Sequence, residues 1–500
     1  MILTTTDRLP EYKSTMKNDR LLLNLLLAVI VQLMPIFASG SLKFGLNPSN
    51  APPLLYQFDN NGSPIPTGGL IYEVSVAIGD ELGEDYSIEP VPRKRIAKQI
   101  VDNRVDLICH NSTRWRHAFA DGALWSSPLF SHSNVLVSTA PITFESAEQI
   151  KGVTIGTVDN YVYADLEDRF KSKDLQRSDS SSVEVSVKKL LNDRVQYIIL
   201  GELEYIYFKS LHPRLVRSTF DFDKTEIKCS LSRKSSLSEA RLNRAIANLH
   251  RKNVFQKLLE RYSNPATLPK SFSYGLNSND SPPFVFFDKT GNNLITVRGG
   301  LFFDIGREIA KRIHRPVSFE LLPRGRLDSR LASGQIEMVC YDNELWAGEY
   351  AKHYYWSQPI FSQSDYIVSL RSDKAAAKVR SLDNLKGKRI GTVLNFVYPA
   401  LTPYFENGSL QREDAGSGAA NLEKLFAQRI PFIVLNNLEY KYYESKYSRL
   451  QKAPLEIDSV DVKCAVSKNS DLKIEQINAA IQDMQKSGKL HKIFSPPYQH

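Results

Sequence analysis

The sequence predicts a mixed α/β fold written twice: two tandem units, each of two α/β lobes joined by a two-crossing hinge. Three observations carry this. Gly45-Leu46-Asn47…Ala51-Pro52-Pro53 returns as Gly275-Leu276-Asn277…Ser281-Pro282-Pro283, Gly68-Gly69-Leu70 as Gly299-Gly300-Leu301, and Trp125-Ser126-Ser127-Pro128 as Trp356-Ser357-Gln358-Pro359. The offset is 231 at Gly69/Gly300 and 235 at Gly152/Gly387, far beyond the roughly 20–50 residues of a solenoid unit, so a whole domain was duplicated. Within each copy, strands that are apolar throughout alternate with helices, as in a sheet covered on both faces. Midway through each copy the pattern restarts, and a late strand returns to the first sheet.

The elements follow in order. Strands are expected at Leu42–Leu46 and Phe272–Leu276, then a proline-bearing loop, an apolar strand and a turn (Phe58-Asp59-Asn60-Asn61-Gly62; Phe287-Asp288-Lys289-Thr290-Gly291). Apolar residues at helical spacing predict helices over Leu70–Leu82 and Leu301–Ile313. Strands then end at Pro92-Arg93 and Pro323-Arg324, and buried strands follow at Val105–Cys109 and Ile336–Cys340. After Val135–Val137 and Ile367–Leu370 a second lobe opens at Lys151–Thr157 and Lys386–Thr392, continuing through Val183–Asn192 to Gln196–Leu200 and through Asn421–Gln428 to Phe432–Leu435. Glu226–Leu231 and Asp461–Val466 return to the first sheet. The expected division is unit one over 41–263 (lobe one 41–137 plus 226–263, lobe two 141–222), a linker over 264–270, and unit two over 271–497 (lobe one 271–370 plus 460–497, lobe two 375–455).

Residues 1–40 read as a signal peptide. Lys17 and Arg20 precede an apolar run from Leu21 to Phe37 that ends in Ala38-Ser39-Gly40. Asn24, Gln32 and Pro35 interrupt the run, which favours a cleaved signal over an anchor, and Met16 makes the more typical start. The expected location is the periplasm. The whole chain carries a formal charge of +9, but its basic residues are scattered, which argues against nucleic acid as a partner. Four cysteines fall two per copy. None forms a CxxC and none has a histidine at metal spacing, so neither a metal site nor a cofactor is expected. In an oxidising compartment the matched pairs point to Cys109–Cys229 and Cys340–Cys464 disulfides, with four buried thiols as the alternative.

These motifs together resemble the periplasmic solute-binding proteins of family 3, the polar-amino-acid-binding type. The likeness rests on the PPxxxxFD-turn-Gly start, the Gly-Gly-Leu helix with Glu73 or Asp304, the WS-x-P block, the LKGxxIGT opening of the second lobe and the VSKxSDL tail. It covers the mature chain once per copy. The resemblance implies a bilobed clamp that closes on a small polar solute at an interlobe cleft. It further implies either an ABC importer permease or a membrane receptor as partner, and a monomer. Relatives hold an α-carboxylate with an arginine at a position that falls here near Ala118–Phe119 and Glu349–Tyr350. They hold the ammonium with an acid that falls here on Gly201, beside Glu202, and on Asn436. Neither copy keeps the arginine in register, which argues against free α-amino acids, because a buried carboxylate needs a cationic partner.

Arg93 and Arg324 stand where the resemblance implies an aromatic against the ligand, and a guanidinium there offers a fork to a carboxylate or a face to a ring. Thr113, Arg114 and Trp115, with Glu344 and Trp346, follow the last strand of the first lobe; an indole at a cleft edge supplies a flat wall and one donor. Thr157, Asn160, Thr392 and Asn395 precede a helix start, where free N–H groups favour anions or caps. Asn50 and Asp280 occupy the first loop, and Glu202 and Asn436 stand just after a strand of the second lobe. The expected function is binding without catalysis, for uptake or sensing. A dehydratase-like enzyme on the same fold is the alternative, with Glu202 and Glu344 as its candidate acids, as is one degenerate unit serving as an interaction module. Scaffold residues repeat in register, whereas the expected ligand-facing positions do not.

Overall fold

A computed structural model describes residues 41–58, 60, 64–115, 121–289 and 295–495. The expected signal segment 1–40, the turn residues 59, 61–63 and 290–294, the Ala118–Phe119 position and the chain end beyond 495 lie outside the described residues. Among those described, no helix is long and apolar enough to cross a membrane.

The two copies build the same sheet. In the first, the strand order is Tyr86–Pro90, Leu42–Leu46, Leu107–Asn111, Phe222–Ser232, Phe130–Ser138, Tyr197–Gly201, Thr154–Val158, Gln176–Ser180. In the second it is Val317–Leu322, Phe272–Asn277, Met338–Asp342, Leu450–Ser467, Phe361–Leu370, Phe432–Asn436, Arg389–Val393, Gln411–Ala415. The outer strands pair in parallel at each end, as strands joined by helical crossovers do. The central pair is antiparallel and long, and it alone runs through both lobes. Each copy is therefore two small α/β lobes threaded on one two-stranded ribbon; the first copy's lobes pack separate apolar cores, whereas in the second copy one cluster continues from lobe to lobe. The lobe edge expected after Val137 moves earlier: Asn134–Val137 already pair with Tyr197–Gly201, and Asp365–Val368 with Phe432–Asn436. A continuous strand crosses from one lobe to the other without a break in the sequence to mark the place.

The repeated Pro-Pro…Gly-Gly-Leu pattern has a local cause. The first N–H groups of a helix have no intrahelical partner. Here Leu70 and Ile71 donate to the carbonyls of Pro53 and Leu54, both at 3.0 Å, and Leu301 donates to Pro283 at 3.1 Å. The loop reaches the helix only because Gly69 (φ 105) and Gly300 (φ 124) have no side chain. A Cβ there would lie 2.5 Å from the Leu54 carbonyl oxygen or 2.4 Å from that of Phe284.

All four cysteines are paired, Cys109–Cys229 and Cys340–Cys464, so the free-thiol alternative falls. Each bridge ties the strand that ends the first lobe's outward path to the strand that returns to it. The first lobes of the two copies also touch. The Asn60 side chain donates to the Val297 carbonyl at 2.7 Å and accepts from its N–H at 2.8 Å. Lys311 donates to Asp80 at 2.9 Å and to the Tyr86 hydroxyl at 2.8 Å, and Phe58 packs edge-on against Phe319.

Candidate functional site

A cleft opens between the lobes of each copy, at the central ribbon, and the two linings correspond residue by residue. Twelve in-register positions line both: Arg93/Arg324, His110/Tyr341, Trp115/Trp346, His132/Gln363, Asn134/Asp365, Val158/Val393, Tyr161/Phe396, Val162/Val397, Tyr163/Tyr398, Ile199/Val434, Gly201/Asn436 and Glu204/Glu439. Asn50 and Asn277 join from the first loops. Six of the twelve positions keep the same residue, so the expectation that ligand-facing positions fail to repeat is corrected. Those that change are chiefly polar.

In the second copy Arg324 lies at the floor, 8% exposed. Its Nε donates to Asp328 at 3.1 Å and an Nη to Asp342 at 3.0 Å. Burial would lower its pKa, but Asp342 and Asp328 more than offset that and hold the guanidinium charged. Tyr341 stacks on Phe302 with centroids 4.4 Å apart, meets Trp346 edge-on, and donates to Gln363 at 2.8 Å. Gln363 in turn donates to Asp365 at 3.2 Å. Burial, and behind it Asp458, pushes the Asp365 carboxyl up to about 7. Glu439 accepts from the Asn436 amide at 2.9 Å, and burial pushes it up to about 8. Asn436 caps the next helix through the N–H groups of Leu438 and Glu439, so its oxygen is already committed. Asp280 is buried beside Arg324, accepts from Asn277 at 3.0 Å, and is pushed by burial up to about 8.

The first copy sets different chemistry on the same backbone. Arg93 lies over the Tyr161 ring at 4.0 Å, and its Nε donates to the Asn160 carbonyl at 2.6 Å. Tyr161 donates to Asn50 at 2.9 Å. His110, Trp115 and His132 meet edge-to-face with centroids 5.5–6.1 Å apart. Burial holds the two imidazoles down, to about 3 and about 4, so both are neutral. Glu204 accepts from the Gly201 N–H at 2.9 Å and is pushed by burial to about 7. Gly201 is required there, because a Cβ would lie 2.7 Å from the His132 ring.

Of the residues expected from sequence, the structure brings Arg93, Trp115, Asn50, Arg324, Trp346, Asn395 and Asn436 to the clefts. Asn160 contributes its carbonyl, in a left-handed backbone at φ 60. The others need correction. Thr157 and Thr392 are fully buried and donate to Asp179 and Asp414 on the neighbouring strand, both at 2.8 Å. Arg114 turns to Asp165 at 2.7 Å and to the Lys224 carbonyl, and Thr113 faces solvent. Glu202 pairs with Arg217 at 3.2 Å and Glu344 with Lys463 at 2.6 Å, both outside the clefts. That removes the two acids on which a catalytic reading rested. Sequence reasoning missed the crossing-strand pairs His132/Gln363 and Asn134/Asp365, and also Glu204/Glu439. Their only signal is alternation along Phe130–Ser138 and Phe361–Leu370.

Two lobes, a shared ribbon and a polar, aromatic-walled cleft between them define the architecture of a solute-binding protein. Residues 276–496 match the model of the bacterial extracellular solute-binding proteins, family 3. The first copy repeats the second copy's strand order and cleft positions. Among solved structures, the periplasmic domain of BvgS from B. pertussis aligns over 99% of this chain and 95% of its own, at 14% identity and a TM-score of 0.36. ArgBP from T. maritima aligns over 45% of this chain and 93% of its own, at 20% identity and a TM-score of 0.38. An ancestral arginine-binding protein bound to arginine aligns over 45% and 96%, at 23% identity and a TM-score of 0.38. No curated protein matches the sequence.

Proposed function

We propose that this chain is exported to the periplasm and there captures a small polar solute, without chemistry, by closing its lobes over an interlobe cleft. It would then deliver the solute to an importer permease or present the closed clamp to a membrane receptor. The observation that carries this is the set of twelve in-register positions that line the cleft in both copies. A site built only for packing has no reason to keep arginine, tryptophan, tyrosine and glutamate at the mouth of an opening between two lobes. Binding to the folded state stabilises it by RT ln(1 + [L]/Kd), about 2.7 kcal/mol at one hundred times Kd. Thermal unfolding of residues 41–500 with a panel of polar metabolites is therefore expected to show a rise of several degrees with at least one. A panel that shifts neither transition sinks the proposal.

A further inference from the structure

We propose that the second cleft selects a small organic cation that bears no carboxylate, an amine or a guanidine, through Asp365 and Glu439. This rests on the solute-capture reading above and narrows it to one class of ligand.

The argument begins with what Arg324 cannot do. Its charge is already met by two carboxylates, Asp328 at 3.1 Å and Asp342 at 3.0 Å, and Asp342 is only 1% exposed. That leaves no net positive charge at the floor to meet a ligand's carboxylate. Across the cleft the situation is reversed. Asp365 sits on the crossing strand, 9% exposed and lining the cavity. One of its oxygens accepts from Gln363, and the other has no donor among the described residues. Glu439 presents its carboxyl from the first turn of the opposite lobe's helix, held by Asn436. Neither carboxylate has a lysine or arginine partner among the described residues. Trp346, Tyr341 and Phe396 wall the space between, and ring faces attract a cation.

The first copy supplies the contrast. Where the second has Asp328, Asp342 and Asp365, the first has Ala97, Asn111 and Asn134. Its arginine therefore meets no carboxylate and spends its Nε on a carbonyl. Two acids beside the arginine and one across the cleft, with none at the matching positions of the first copy, divide the clefts by charge rather than by shape.

The pH behaviour follows from the burial of these acids. Asp365 and Glu439 are held protonated to about 7 and about 8 because nothing neutralises them. A bound cation would favour their ionised forms, so binding releases protons, and affinity rises from pH 6 to pH 9 while an alkylamine or guanidine stays charged.

The test is calorimetric titration of residues 41–500 with agmatine, 1,5-diaminopentane and choline, set against L-arginine and L-glutamate. The expected result is that at least one of the three cations binds, and at least tenfold more tightly than L-arginine, with affinity increasing with pH. Asp365→Asn and Glu439→Gln each replace a carboxyl that has no cationic partner by an amide of the same shape, and each is expected to weaken that cation at least tenfold. Thermal unfolding of the two variants without ligand verifies that they fold. Three results overturn the inference alone: L-arginine or L-glutamate binding while all three cations fail, L-arginine matching the best cation, or cation affinity unmoved in both variants. Silence from all five probes overturns this inference, and silence across the wider metabolite panel overturns the solute-capture reading with it.

Discussion

Arg324→Ala is expected to destabilise the second unit by about 3–5 kcal/mol, the usual cost of removing one partner from a buried ion pair, whereas Arg93→Ala is expected to cost about 1 kcal/mol, the worth of one hydrogen bond. The two arginines occupy the same place in the two copies, so the difference isolates their partners. Arg324 compensates Asp342 and Asp328, and removing it leaves both acids inside the protein without a cation. Arg93 compensates no acid; it lies on Tyr161 and donates to a carbonyl. The pH dependence has a definite sign. Asp328 is already held up to about 6 by burial, against the pull of Arg324. Removing the guanidinium raises its folded-state pKa further, and that of Asp342 with it. A carboxylate whose folded pKa is raised costs stability above its unfolded pKa, near 4, and the cost grows until pH reaches the folded value. The deficit of Arg324→Ala should therefore be large at pH 7.5 and shrink towards pH 4.5. Urea midpoints of both variants at these two pH values decide it. Equal losses at the two arginines would show that the ion-pair cluster does not act as described.

The same pair shows what the sequence made legible and what it hid. The duplication, the four-cysteine pairing and the two-lobe order all follow from features that repeat in the chain itself: Gly69/Gly300 where only glycine lets the loop reach the helix, and apolar strands too short and too uniform for any other class. Arg93, Arg324, Trp115 and Trp346 reach the clefts because each lies in a short helix just past the end of a first-lobe strand. Thr157 and Thr392 were misplaced for a reason of geometry. A threonine on a strand buried on both faces offers its hydroxyl either to the cleft or to a neighbouring strand, and here Asp179 and Asp414 take it. Glu204 and Glu439 stand three residues into a helix, where a glutamate ordinarily closes a capping box. Both do that, accepting from Gly201 and Asn436, and both also face the cavity, a second role that spacing alone cannot reveal. The crossing residues were hidden because an antiparallel strand passing between two sheets reads as one strand. The arginine fork was legible as a residue; the acids that use it, at 328 and 342, belong to other elements, brought beside it only by the fold.

Replacing Cys340 and Cys464 by alanine is expected to lower the stability of the second unit by roughly 4–5 kcal/mol in the chain-entropy model, and the Cys109/Cys229 pair should cost the first unit about the same. The sequence separations are 124 and 120 residues, so each bridge closes a loop that contains the entire second lobe. Without it, the unfolded chain regains the freedom of that loop, while the folded strands lose little. Met338–Asp342 and Leu450–Ser467 stay paired through their backbone, and the four sulfurs are all within buried apolar clusters where alanine leaves only a small void. The loss should therefore appear in the unfolding transition and not in the cleft. Ligand affinity of the folded variant is expected to stay within about twofold, since no cysteine lines a cavity and His110 and Tyr341, next in the chain to Cys109 and Cys340, keep their places on the paired strands. Saturating ligand at one hundred times Kd would then restore about 2.7 kcal/mol of the deficit. Thermal and urea unfolding of each double variant, with and without ligand, tests both halves. A loss below about 1 kcal/mol would mean that the unfolded chain is already compact enough for the cross-link to constrain little. A loss of affinity at constant fold would instead mean that the bridge sets the angle at which the ribbon meets the first lobe, making it part of the hinge.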